Sequence, residues 1–585
     1  MDQRRLFIAI ATSIVILLVF QYLVPPAPRP VPPPQHAALQ APLPAGAPAG
    51  SQAGGAPMVP AAGPSVAAPT VPKEVPRLMI DGPRVAGSVS LLGARLDFVV
   101  LRDYHETIDR LSPLVHVLEP RSDEHPYFVQ FGWLPGPGTG IRLPDENTLW
   151  SGSGKVTPGK PAVLTWDNGE GQTFEITIGV DDNYMFSVRQ RVRNAGEAAV
   201  SLYPWSLIRR EYTPPTAGYY ILHEGLLGVL GGTLKEQTYA TAKSEGEKRG
   251  GVSFQNTGAG GWAGITDKYW LVALVPDQEA PQIASFRYSS DRGQDHYQVD
   301  FMANVPQTIA PGGEATATSR AFAGAKEVDL LDRYESRDHI PLFSYAVDWG
   351  WFWFLTKPFF TALDWLYGVF GNFGVAIIVF TVFVKAVFFP LANKSYRSMS
   401  KMKLLAPKMA ALKEQYKDDP AKLQNAMMSL YKAEKVNPAS GCLPMFVQIP
   451  VFFSLYKVIF ITIEMRHAPF FGWIHDLSAI DPTNVFNMFG LLPFNPALYS
   501  SFLHLGVWPL LMGFTMYFQQ KLNPPPPDPV QAKIFQWMPV MFTFMLANFP
   551  AGLVIYWTWN NLLTIAQQWY ILRQTSLDKP RLART

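Results

Sequence analysis

Lys385 stands inside the run "IIVFTVFVKAVFFPLA" at 377–392, with apolar residues on both sides. A cation at the centre of a membrane helix costs about 2.5–3.5 kcal/mol on insertion scales, so its presence asks for a reason. One reading is that the four-carbon stem snorkels to the headgroups. The other is that the ammonium faces a wet cavity, which requires polar neighbours on other helices. Candidates exist: Thr381 lies one turn before Lys385, and Gln448 one turn into the next apolar run. Trp557, Thr558, Asn560, Asn561, Gln567 and Gln568 fall in the last run. Intramembrane polar groups usually face a bundle interior or a water-filled cavity. No Asp or Glu lies within these runs, Glu464 being at an outer end, so a cation there suits an anionic guest.

Covalent chemistry finds no support. "SGSGKVTPGK" at 151–160 has a Gly-Lys without the spacing or hydroxyl of a phosphate-binding loop, and reads as a β turn. There is no H-E-x-x-H, no paired-cysteine metal motif and no G-x-S-x-G elbow. His467 and His475 flank "APFFGWI" and suit an interface better than a metal. Cys442 is the sole cysteine, which excludes an intramolecular disulfide. The expectation is a protein with no catalytic residue, metal or cofactor.

The polar groups need helices to hold them. Of 585 residues, 48% are hydrophobic, 13% aromatic and 16% charged. Soluble chains average about 25% charged, so part of the chain belongs in lipid. Arg4 and Arg5 precede an uncharged run from Leu6 to Val24, which predicts an uncleaved transmembrane anchor over 1–24 with its N-terminus cytosolic. Residues 25–73, rich in Pro and Ala, form a disordered tether. Residues 344–370 are aromatic but carry Asp348, Lys357 and Asp364. This predicts an interfacial amphipathic helix, broken or kinked at Pro358. Five spans follow at about 373–392, 442–463, 503–521, 534–549 and 552–572, forming a helical core over 371–572. Lys457, near the outer end of the second, reads as a snorkeller.

Charge sets the orientation. Residues 393–440 hold ten Lys or Arg against four Asp or Glu, and the tail 573–585 is basic. Both belong in the cytosol by the positive-inside bias. The loop reads as a helical hairpin around Asp418-Asp419-Pro420. Met399, Met402, Leu405, Met409, Leu412 and Tyr416 recur at steps of three or four, while Lys394, Arg397, Lys401, Lys403 and Lys408 supply basic charge. It is either a solvated hairpin or a docking arm for lipid headgroups, ribosomal RNA or partners. The net charge of +3 by itself implies no DNA partner.

Residues 74–340 alternate instead. "FEITIGV" sets Phe174, Ile176, Ile178 and Val180 on one face, and "YMFSVRQRVRNAGE" sets Tyr184, Phe186 and Val188 against Arg189, Arg191 and Arg193. Period-two runs between Gly, Pro, Asn and Asp signals predict a large all-β domain outside the cytoplasm, with the arginines on a solvated face.

The stretches "GNFGVAIIVFTVFVKAVFFPLANKSYRSMSKMKLLAPK", "LYKAEKVNPASGCLPMFVQIPVFFSLYKVI", "HAPFFGWIHDLSAIDP" and "FPAGLVIYWTWNNLLTIAQQW" resemble the YidC-type membrane protein insertases, in the Gram-negative form with a large periplasmic domain. The resemblance implies a multi-pass α-helical inner-membrane protein, an N-terminal anchor plus a five-helix insertase core, carrying an all-β supersandwich in the periplasm. That supersandwich is mutarotase-like, and a shared fold does not confer sugar chemistry. The implied function is an insertase and chaperone without covalent chemistry. It would insert, fold and help assemble membrane proteins through a cytosol-open hydrophilic groove, alone or with the Sec translocon. Implied partners are nascent membrane proteins, the ribosome, the Sec translocon with its accessory subunits, and the bilayer. The family's groove cation, commonly arginine, falls at Lys385, its polar partner at Thr381, and a tyrosine of the last span at Trp557, beside Tyr556. With Gln448 and Asn560 these make the candidate groove. Lysine keeps the charge but loses the bidentate fork. Rival readings are a secondary transporter or channel for a small anion, and a membrane-tethered sugar-binding protein. The stretch 487–509 is longer than the usual loop before the third core span and takes no role from the resemblance.

Overall fold

The computed structural model describes residues 75–216, 222–417, 419–434, 443–494, 496–499, 503–523 and 529–577. The expected anchor and tether lie outside them. Residues 525–538 group apart from the main unit and are described only as part of their own helix.

Alternation builds the β domain. Phe174, Ile176 and Ile178 of strand Gln172–Val180 are fully buried. They oppose Val192, Gln190 and Val188 of strand Met185–Asn194, whose Ser187, Arg189 and Arg193 are exposed. Arg191 donates to Glu175 across this outer face at 2.9 Å. An eleven-stranded sheet has Tyr127–Pro135, Val200–Arg210 and Gln294–Ala303 side by side at its centre. A nine-stranded sheet centres on Trp270–Pro276, Glu314–Ala325 and Met185–Asn194. Both contribute to one core that includes Trp133, Phe174, Trp262, Phe286 and Phe322. The 151–160 stretch is a pair of two-residue strands with Gly154 and Gly159 in the left-handed region, where a side chain would be strained. Helix α1 (Tyr239–Lys248) is capped by Thr238, and α2 (Val328–Arg337) leads out of the second sheet.

Helix α3 (Trp353–Phe370) continues through Pro358, so the proline does not break it. The proline falls in the second turn, where the missing N–H removes a single bond near an end that already has free groups. Gly371, at φ 66°, closes α3, and Asn372 opens α4 (Phe373–Val387) by accepting from the Val375 N–H at 3.1 Å.

The expected continuous span over 373–392 is bent by 66° between α4 and α5 (Phe389–Gln415). Pro390 lies at the start of α5, where a residue without an N–H opens a helix readily but cannot continue one. Among the described residues no single helix is long and apolar enough to cross a membrane; this bent pair passes by length and composition together. Asp419 then caps α6 (Pro420–Ala433), accepting from the Lys422 N–H at 3.0 Å. The remaining helices are α7 (Leu443–Ile461), α8 (Val507–Leu522), α9 (Pro529–Leu546) and α10 (Ala551–Leu577). Met512, Met516, Leu546 and Val554 pack into one small cluster. Gly374 lets α4 approach Phe470 so closely that a methyl group there would meet the ring at 2.0 Å.

A candidate groove around Lys385

The bend places Lys385 in the last turn of α4, where free carbonyls and the helix dipole favour a cation. Its Nζ donates to Thr564 Oγ1 of α10 at 2.8 Å. The Thr564 hydroxyl proton is already given to the Asn560 carbonyl at 2.7 Å, so a lone pair faces the lysine. Among the described residues no carboxylate balances this charge.

A recess of about 40 Å³ opens beside Lys385, between α4, α5, α7 and α10. Its polar lining is Lys385, Tyr396, Gln448 and Gln567; Phe388, Leu391 and Val451 are among its apolar walls. At roughly 10–15 Å³ for each water-sized probe, that is room for about three waters. Gln448 donates to the hydroxyl of Tyr556, which is itself buried.

Of the residues singled out from sequence, Lys385, Gln448 and Gln567 share the recess. Tyr556 joins them through Gln448, and Asn560 through Thr564. Asn560 Oδ1 is buried with no hydrogen-bond partner among the described residues. Thr381 and Trp557 sit elsewhere. The Thr381 hydroxyl is buried and turned back onto the Ile377 carbonyl at 2.6 Å. Trp557 packs against the rings of Phe452 and Phe542, with centroids 4.6 and 5.8 Å away. Sequence reasoning missed Thr564 and Tyr396. Thr564 had a signal: Asn560, Thr564 and Gln567 follow one face of α10 at helical spacing.

Beyond the bend, Lys394, Arg397, Lys401 and Lys408 are exposed, and Met399, Met402 and Met409 are half-buried. The side chain of Lys403 lies outside the described residues. Lys408 pairs with Glu434, at the end of α6, at 2.6 Å, and the Tyr431 hydroxyl meets Met409 Sδ at 3.8 Å, which closes the hairpin.

The opposite end of α7 holds a second polar cluster. Lys457, expected to snorkel, is instead paired with Asp348 at 2.8 Å, and Asp348 also accepts from the His223 N–H. The aromatic segment before α3 folds back over the helix end, so the lysine finds a carboxylate before it finds headgroups. Burial works to raise the Asp348 carboxyl, but Lys457 holds it below the usual range. Just past α7, Glu464 accepts from the Val328 N–H at the start of α2. Burial pushes its carboxyl up to about 8, and its second oxygen has no partner among the described residues, as a protonated acid in an apolar niche would be. Arg466 donates to the His105 and Glu106 carbonyls, so three side chains on or beside α7 fasten the β domain to the helices.

Comparison with known proteins places this architecture. Residues 77–362 match the family model of the YidC periplasmic domain, and residues 365–579 that of the 60Kd inner membrane protein. Together they define an inner-membrane protein with a large periplasmic β domain and a helical region. Over its full length the chain is 58% identical to the membrane protein insertase YidC of Granulibacter bethesdensis, covering 100% of both chains. It is 54% identical to that of Acidiphilium cryptum, covering 100% of this chain and 99% of the relative. Against that of Bradyrhizobium diazoefficiens the figure is 52%, over 89% and 86% of the two chains. The chain belongs to the YidC family of membrane protein insertases, which is not an enzyme family.

Proposed function

We propose that the chain inserts, folds and helps assemble membrane proteins by admitting their hydrophilic segments, from the cytosol, into the recess around Lys385. The observation that carries this reading is a half-buried lysine held by a hydroxyl, beside a recess with four polar side chains at a helix bend. A carboxylate partner would cancel the charge; a threonine leaves it available to an acidic segment of the guest. Partial entry shortens the dry path that the segment must cross, which lowers its desolvation cost. The guest's apolar span then leaves sideways into lipid, driven by burial and by the membrane potential on acidic tails.

The topology that fits is six spans: the anchor over 1–24 and the five of the core, with both termini cytosolic and the β domain, a supersandwich, in the periplasm. The groove comprises Lys385, Gln448, Tyr556, Asn560 and Thr564, while Thr381 and Trp557 brace the helices that carry it. The basic hairpin receives the ribosome and lipid headgroups, and the Sec translocon with its accessory subunits shares the larger substrates. No cofactor is required.

The test is a charge swap. Lys385→Glu should impair insertion of substrates with acidic translocated tails far more than of matched neutral ones. Equal impairment of both would remove the electrostatic role.

A further inference from the structure

From Pro482 to Gln520 the chain has no Asp, Glu, Lys or Arg, and a single histidine, His504. The first part of this run is an excursion between α7 and α8 whose base is firmly held. Asp481, buried, accepts from the Trp473 indole, from the Thr483 hydroxyl and from the Trp508 N–H. Asn484 donates to the Leu503 carbonyl at 2.7 Å, and the Val485 N–H to the Leu505 carbonyl at 2.9 Å, so the two strands of the base are tied together.

Above that base the side chains turn outward. Leu491, Leu498 and Tyr499 are 80%, 83% and 80% exposed, and Met488, Phe489 and Phe494 are also exposed. Met488 and Phe489 both adopt positive φ, 52° and 60°, a conformation non-glycine residues rarely take. Asn487 steadies it by accepting from the Gly490 N–H at 2.9 Å. An apolar tip is therefore presented by a braced loop.

Helix α8 indicates what covers it. It has 16 residues, about 24 Å at 1.5 Å each, and falls short of the roughly 30 Å hydrocarbon core. Its Leu510, Leu511, Phe514 and Phe518 form an exposed stripe at helical spacing. The loop precedes the N-terminal end of α8, and loop and helix stripe belong to one stretch of sequence without an Asp, Glu, Lys or Arg. A short span is normally matched by thinning the bilayer, by snorkelling flanking residues or by oligomerising; apolar surface beside its end would make up the same shortfall.

We propose that the loop residues 486–494 and 496–499 are a membrane-seated element that immerses its apolar tip in the periplasmic leaflet and completes the short α8 span. It rests on the spanning topology proposed above. By anchoring α8 at its outer end it would hold the wall of the core, packed on α10, at a fixed depth while guests pass.

The test uses the full chain with Cys442→Ser, reconstituted in phosphatidylcholine–phosphatidylglycerol vesicles. An environment-sensitive fluorophore is placed on one cysteine at a time: Leu498→Cys in the tip, Phe514→Cys on α8 and Val305→Cys on the β domain. Quenching by acyl-chain nitroxide lipid is compared with quenching by aqueous iodide. The expected result is lipid quenching and blue-shifted emission at 498 and 514, with iodide quenching at 305. If 514 is lipid-quenched but 498 is iodide-quenched, the loop is wet and the proposal is overturned while the span stands. If 498 is shielded from both, a second copy of the chain covers the tip, and the proposal again fails. If 514 is itself iodide-quenched, the spanning topology fails and takes the proposal with it.

Discussion

Lys385 gains its meaning from the atom it touches. A hydroxyl satisfies one of its three N–H donors and leaves the charge uncompensated. Lys385→Arg should keep most insertion of acidic-tailed substrates, because charge is retained and a fork is added. Lys385→Met should lose it while sparing neutral substrates, as read by protease protection of the inserted tail. Thr564→Val should give a smaller defect of the same kind, since the lysine loses its tether but not its charge. Lys385 was legible in the sequence as a charge in an apolar run, and Gln448 as a polar residue at membrane depth. Thr564 could be placed on the polar face of α10, but its tie to Lys385 was not legible, because the two lie 179 residues apart and a threonine in a helix usually bonds its own backbone. Thr381 does just that, so its hydroxyl proton is given to its own helix.

The helices carry two breaks in expectation, both made by proline. Pro358 is harmless near the start of α3, while Pro390 begins a new helix and turns α4 from α5 by 66°. Sequence marks the residue but not which outcome packing selects. The outer end of α7 offers two measurements. Lys457→Met leaves Asp348 charged and largely buried. It should cost at most the roughly 3–5 kcal/mol seen when one partner of a buried pair is removed, and less to the extent that water reaches the site. Lys457→Met with Asp348→Leu should recover most of that loss in thermal denaturation of the detergent-solubilised protein. Glu464 sets a pH dependence. Its carboxyl is pushed up to about 8 from an ordinary 4.5, so the folded state favours the protonated form. That contribution is fully present below about pH 4.5 and is lost as pH rises through about 8. Glu464→Gln should therefore melt at a higher temperature than the parent at about pH 9 and coincide with it near pH 4.

At the scale of the molecule, the basic hairpin α5–α6 precedes α7, and Glu464 and Arg466, just past α7, hold the β domain. Alternation made the β domain legible, since Phe174, Ile176 and Ile178 point inward as the pattern requires. Its sheet order was not legible: strand Met185–Asn194 pairs with Glu314–Ala325, more than a hundred residues on, and local pattern cannot choose such a partner. The contacts of Glu464 and Arg466 with the β domain were hidden for the same reason. The exposed charges of Lys394, Arg397 and Lys401 predict an electrostatic docking step. Changing all three to Gln should weaken ribosome co-sedimentation at low salt, and the difference should vanish near 1 M salt, where the Debye length is about 3 Å. The central claim is that guests enter the recess itself. A photo-crosslinker at Gln448 or Gln567, with a short membrane protein stalled during translation on ribosomes, reads this directly. Adducts between the nascent chain and both positions are predicted, weakened for acidic-tailed guests by Lys385→Glu. Nascent chains that insert normally yet never crosslink at either position would contradict the account.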